Sequence, residues 1–220
     1  MNFDYLKAYP DMKKLYDYCS EAEEFALYKP NISATSARKA MEFIVKMIYA
    51  SLVGQDYGFT VFEMITDVRF VDYIGDDTLI NTIHYIRKMG NVAVHEGELS
   101  KDESLKILEE LHFLVGEFLI LLGLVNDYPE FKKPGTSTSA PTPTKADEKK
   151  ATEASKKVTV EPELIAKFAP RMRQVKFDVK FKRDEEENKK LYTAACLREA
   201  GWPIVNQPDQ AMPCSAGINM

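Results

Sequence analysis

Apolar residues recur through the first 128 positions at steps of three and four, with charged residues between them. From Pro10, the positions Met12, Leu15, Tyr16, Cys19, Ala22 and Phe25 form one stripe, which predicts an amphipathic helix. Pro30 closes the connection, and Asn31 or Ser33 is placed to cap a second helix. Ala37, Ala40, Met41, Ile44, Val45, Ile48 and Leu52 carry that helix to Gly54, while Arg38, Lys39, Glu42 and Lys46 read as its solvated face. A short helix follows from Thr60 to Thr66, with Phe62 and Ile65 inward. Asp76 or Asp77 caps the next, whose buried side is Leu79, Ile80, Ile83 and Ile86. Ser100 and Glu103 form a capping box that opens a long final helix to about Leu124. Strand-type alternation is absent from this block. The expectation is a mainly α protein whose residues 1–128 form an antiparallel bundle of four main helices.

The pattern breaks after this block. Residues 133–146, KPGTSTSAPTPTKA, contain no large apolar side chain, and a charged run follows. Such composition offers too little apolar surface to offset chain entropy, so 129–158 reads as a flexible linker, open to proteolysis at 133–158. Beyond it, Val175, Phe177, Val179 and Phe181 alternate, which predicts a strand or a segment lying against the helical block. Glu186 to Ala200 reads as a helix stopped by Gly201, with Trp202, Ile204 and Val205 opening an extended segment.

Composition narrows the class. The three cysteines, Cys19, Cys196 and Cys214, form no Cys-x-x-Cys pair, so reduced thiols in the cytoplasm are expected. The start, MNFDYLKAYPDMKK, lacks the apolar core of a signal peptide. The most apolar run, Leu111 to Val125, is short for a membrane span and holds His112 and Glu117, which favours a buried helix. Charge is uneven: 12 basic and 21 acidic residues give −9 over 1–128, whereas 16 basic and 11 acidic give +5 over 129–190. The acidic block is a poor nonspecific binder of nucleic acid, because phosphate contacts need Lys and Arg.

One stretch gathers candidate chemistry. HYIRKMGNVAVHEGE, residues 84–98, brings together His84, Arg87, Asn91 and His95. At about 100° per residue these four fall within roughly 80° of one another on a helix. Two readings stand side by side: the polar face of an amphipathic helix, or an Arg, Asn and His set converging on a phosphate.

SARKAMEFIVKMIYA at 36–50 and IRKMGNVAVHEGE at 86–98 resemble a bacterial family of helical domains in the HEPN (higher eukaryotes and prokaryotes nucleotide-binding) superfamily. The resemblance spans about residues 1–128 and implies the bundle and a possible homodimer. Active ribonucleases of that superfamily carry an Arg, a polar residue and then a His; here Asn91 and His95 match the last two, and Gly90 stands where the Arg belongs. Arg87 lies one turn earlier, and Arg38 falls where the family's helix carries Ala-Arg-Lys. The resemblance therefore implies a nucleic-acid or partner groove of Arg38, His84, Arg87, Asn91 and His95 more than catalysis. A free-standing ribonuclease using Arg87, Asn91 and His95, or a dimerisation module, is the alternative.

NKKLYTAACLREAGWPIVNQPDQAMPCSAGINM, 188–220, resembles the opening of the nuclease domain in the R (restriction) subunit of type I restriction enzymes. The order of helical block, linker and LREAGW matches that layout. It implies that 159–220 is the truncated start of an α/β nuclease domain in a longer DNA-cleaving, ATP-dependent enzyme. Such an enzyme uses Mg²⁺ and ATP and works with methyltransferase and specificity subunits. Its Asp and Glu-x-Lys nuclease set is expected beyond residue 220. Glu187-Asn188-Lys189 mimics the triplet but lies in a charge run without the strand context the motif requires. No phosphate loop occurs here, so neither catalysis nor a cofactor is expected in 1–220. Glu199 is a weak metal candidate. No membrane contact is expected.

Overall fold

The helical stripes fold as helices, and the longest of them lies at the centre. A computed structural model of the chain describes residues 1–54, 58–95, 97–135 and 158–175. These belong to one compact unit, Met1–Val179; a second, Lys180–Met220, lies outside the described residues. The chain is mainly helical, and the described residues contain no strand.

Two 3-10 turns, Asp4–Ala8 and Pro10–Met12, lead into α1, Lys13–Phe25, which buries Leu15, Cys19, Ala22 and Phe25 as its spacing predicts. α2, Pro30–Val53, starts with proline at its first position, where a missing N–H costs no helical bond. Neither Asn31 nor Ser33 caps it: Lys29 is the N-cap, and it makes no side-chain capping bond. From Ala40 to Ser51 every residue except Glu42 is buried. A helix buried all round needs neighbours all round, and α2 packs against α1, α3, α4, α5, α6 and α7 (their ranges follow).

α3, Val61–Thr66, carries a capping box between Thr60 and Glu63, and α4, Val68–Ile74, is capped by Asp67. α4 was not expected. Gly75, at φ 60°, ends it in the left-handed conformation that glycine adopts without steric cost. Asp76 caps α5, Asp77–His95, by accepting from the Thr78 and Leu79 amides. The box of Ser100 and Glu103 opens α6, Lys101–Leu121. Gly123, at φ 63°, lets the Leu124 amide close back on the Leu119 carbonyl.

Three expectations need correction. Phe62 is not inward but 38% exposed; Met64 and Ile65 carry the buried side of α3. Lys46 is not on a solvated face but buried, because α2 has no free side there. Residues 159–175 do not begin a separate unit. They form α7, Pro162–Val175, which lies on α2 through Leu164, Phe168 and Met172. Those residues recur every four positions, the spacing of one helix face. Polar ties add to the seam. Lys46 Nζ donates to the Val158 carbonyl (2.6 Å), Tyr73 Oη to the Met172 carbonyl (2.8 Å), Lys14 pairs with Glu161 (3.1 Å), and Lys167 pairs with Asp11.

The ends of the linker also belong to the helical unit. Asn2 and Lys132 exchange two hydrogen bonds (2.7 and 2.8 Å), and Phe131 packs on the core. Residues 136–157, the Pro/Ser/Thr stretch, lie outside the described residues, as do Phe177, Val179 and Phe181; Val175 ends α7.

Candidate functional site

α2 and α5 run antiparallel, and one asparagine pins their ends. Asn31 Nδ2 donates to the Ala93 carbonyl (3.1 Å) and the Gly97 carbonyl (2.8 Å), while its Oδ1 accepts from the Leu99 amide (2.9 Å). This explains why Asn31 is no cap: its side chain is spent on the orphan carbonyls at the far end of α5. Asn31→Ala is expected to lower stability by about 1–3 kcal/mol, the cost of leaving such groups unsatisfied. Urea unfolding measures it, and hydrogen exchange should show residues 91–95 fraying first.

Two turns further along α2, Arg38 meets Gly90. A Cβ built on Gly90 would lie 2.6 Å from Arg38 Cβ and 2.8 Å from its Cδ. Gly90 is an interior residue of α5, so its lack of a side chain serves space and not backbone conformation. The aliphatic stem of Arg38 fills the notch, as long basic side chains do on apolar surface. The residue missing from α5 is thus matched by an arginine arriving from α2.

The structure divides the five groove residues. Arg38 lies against Gly90, next to Asn91, and His95 stands one turn beyond, exposed at the C-terminal end of α5. Among the described residues, no hydrogen bond or ion pair engages the side chains of Arg38, Asn91 or His95. Arg87 is drawn elsewhere: its guanidinium stacks 4.9 Å from the Phe62 ring centre. Sequence reasoning missed this pairing, because it turned Phe62 inward. His84 is half-buried two turns before Asn91.

A second polar cluster is structural. Tyr49 Oη donates to Asp67 Oδ2 (2.9 Å), and Arg69 Nη2 pairs with the same carboxylate (2.5 Å). Hydrogen bonds from Arg69 hold the Asp67 carboxyl far below the usual range. Asp67 at the same time caps α4, so its charge supports a helix start.

No group of three His, Cys, Asp or Glu able to hold a metal occurs among the described residues, and Glu199 lies outside them. No described helix is long and apolar enough to cross a membrane. Fold and site together define a mainly helical protein with a seam of guanidinium, amide and imidazole between two antiparallel helices. The chain matches no protein-family model, no curated protein and no solved structure.

Proposed function

We propose that this chain is the N-terminal accessory region of an enzyme similar to the R subunit of type I restriction enzymes, and that its HEPN-like antiparallel bundle uses the α2/α5 seam to hold a phosphate of nucleic acid. The observation that carries the reading is the Arg38 stem in the Gly90 notch, which sets an arginine of α2 against the α5 residue that precedes Asn91. A guanidinium is a donor of fixed geometry, suited to phosphate. The seam binds and orients and does not cleave. His95 sits at the exposed helix end, and the Arg87 guanidinium stacks on Phe62.

In this reading the parent enzyme is cytoplasmic and cleaves DNA with Mg²⁺ and ATP held by an α/β nuclease and a motor whose residues are not among those described. Methyltransferase and specificity subunits are its partners. The same seam favours one second reading, a HEPN ribonuclease in which Arg38 supplies the missing guanidinium, with His95 as proton donor and a second copy completing the site.

The test uses the full chain. Binding of a labelled DNA duplex and of a labelled single-stranded RNA is followed by fluorescence anisotropy at several salt concentrations. Arg38→Ala is expected to raise Kd about tenfold and to lower the salt slope by about one, as loss of one phosphate contact does. Unchanged binding would remove the seam from the interface. Metal-free RNA cleavage that vanishes in His95→Ala would replace the accessory reading by the ribonuclease.

A further inference from the structure

His112 belongs to neither polar cluster. It projects from α6 into a box of rings supplied by the N-terminal turn and by the segment after α6. Phe3 (5.7 Å between centroids) and Tyr5 (6.0 Å, edge-on) come from the N-terminal turn. Tyr128 (5.7 Å) and Phe131 (5.6 Å) come from the segment that returns after α6. The residue is 3% exposed, and its Nε2 is buried with no hydrogen-bond partner. The Tyr5 hydroxyl is likewise buried and unpartnered.

The returning segment, Leu124–Lys132, is a strap fastened at both ends. Tyr9 Oη donates to the Leu124 carbonyl (3.2 Å), and Lys132 is paired with Asn2. At its middle the Tyr128 ring lies on Gly116, one turn along α6 from His112. A Cβ there would come within 2.4 Å of the ring. The Tyr128 hydroxyl donates to Glu117 Oε1 (3.1 Å).

A protonated imidazole does not suit this box. Protonation gives the ring a charge and a second N–H donor, and the buried Nε2 faces no acceptor. Aromatic faces return only part of the hydration a buried cation loses. The ionisable groups around it offer no compensation. Tyr5 from the first turn and Cys19 from α1 are pushed up by burial, and Tyr128 is pushed up to about 12 by burial and by Glu117. All three are neutral near pH 7. The carboxylates bonded to residues of this region are engaged, Glu117 with Tyr128 and Glu23 with Asn2.

We propose that His112 is a proton-operated latch: neutral, it holds the strap Leu124–Lys132 closed over α6 and the N-terminal turn; protonated, it lets the strap go. Release frees the nine residues of the strap and uncovers the α6 face around Gly116. The inference is independent of the seam between α2 and α5.

Burial holds the closed-state imidazole below its ordinary 6.5. The open strap restores that value, so the open form binds more protons as pH falls through 6.5. Opening is independent of pH well above that value and grows by up to about tenfold per unit below it, until the closed-state imidazole itself takes the proton. Asp4, Glu63, Asp67, Glu103 and Glu161 are held below the ordinary carboxylate range and stay charged over this interval.

The experiment follows amide exchange of residues 124–132 in the full chain at pH 7.5, 6.0 and 5.0, corrected for intrinsic rates. The His112 Hε1 resonance, assigned by its absence in His112→Phe, is followed alongside. Wild type is expected to exchange up to about 30-fold faster in the strap at pH 5.0 than at pH 7.5, with the Hε1 titration displaced below 6.5. His112→Phe and His112→Leu, which keep the box filled without a titrating group, are expected to show no such change. Equal opening in the variants, or an Hε1 titration near 6.5 with the strap unmoved, overturns the proposal. If neither variant folds, the wild-type comparison of Hε1 and strap exchange still decides it.

Discussion

Phe43→Ala is expected to destabilise the helical unit by about 3–5 kcal/mol, the usual cost of deleting a buried aromatic side chain. Phe43 is fully buried in α2, at the stretch where that helix has neighbours on every side. The site cannot collapse by moving one partner, since the others hold α2 in place, so the cavity stays open. Against a total of about 5–15 kcal/mol for a typical domain, this is a large share. Urea unfolding followed by helical circular dichroism measures it. Val68→Ala, at a residue 63% exposed, should stay within about 0.5 kcal/mol of wild type. A loss below 1 kcal/mol for Phe43→Ala would mean that α2 is not the centre of the fold.

Lys46→Ala is expected to cost about 3 kcal/mol and to loosen α7 before the rest. The ammonium is 7% exposed and joins two acceptors, the Val158 carbonyl at 2.6 Å and Glu42 Oε1 at 2.8 Å. Removing it leaves a buried carbonyl and a largely buried carboxylate without their cation, which is why breaking such a pair costs more than the pair is worth. The estimate sits at the low end because Glu42, 17% exposed, can turn towards water. Lys46→Met keeps the aliphatic stem and should cost less. Hydrogen exchange should show residues 162–175 losing protection in Lys46→Ala while α1 and α6 retain theirs. Unchanged protection there would mean that Leu164, Phe168 and Met172 dock the helix without the lysine.

Local signals made most of the helical order legible. The spacing of Leu15, Cys19, Ala22 and Phe25 marked α1, and Ser100 with Glu103 marked the start of α6. Both act within one or two turns, through side chains that share a helix face or bond the first free amides. The polar stripe on α5 was legible for the same reason. Which of its members stand open was not. That depends on Phe62 from α3 and Arg38 from α2, residues 25 and 52 positions away from their respective partners, Arg87 and Gly90.

The sequence by itself determined that this protein is helical, where its four main helices run and that residues 84–95 carry a polar face. Those features follow from a 3.6-residue repeat and from caps that each helix carries within its own few residues. The tertiary structure alone decided that Lys46 is buried, that Asn31 ties helix ends instead of capping one, and that α7 returns across the linker to cover α2. It alone set Arg38 on Gly90 and His112 inside four rings. A side chain's burial and partners depend on which faces meet after folding. That choice is made by the summed packing of distant segments, and no window of neighbouring residues contains it.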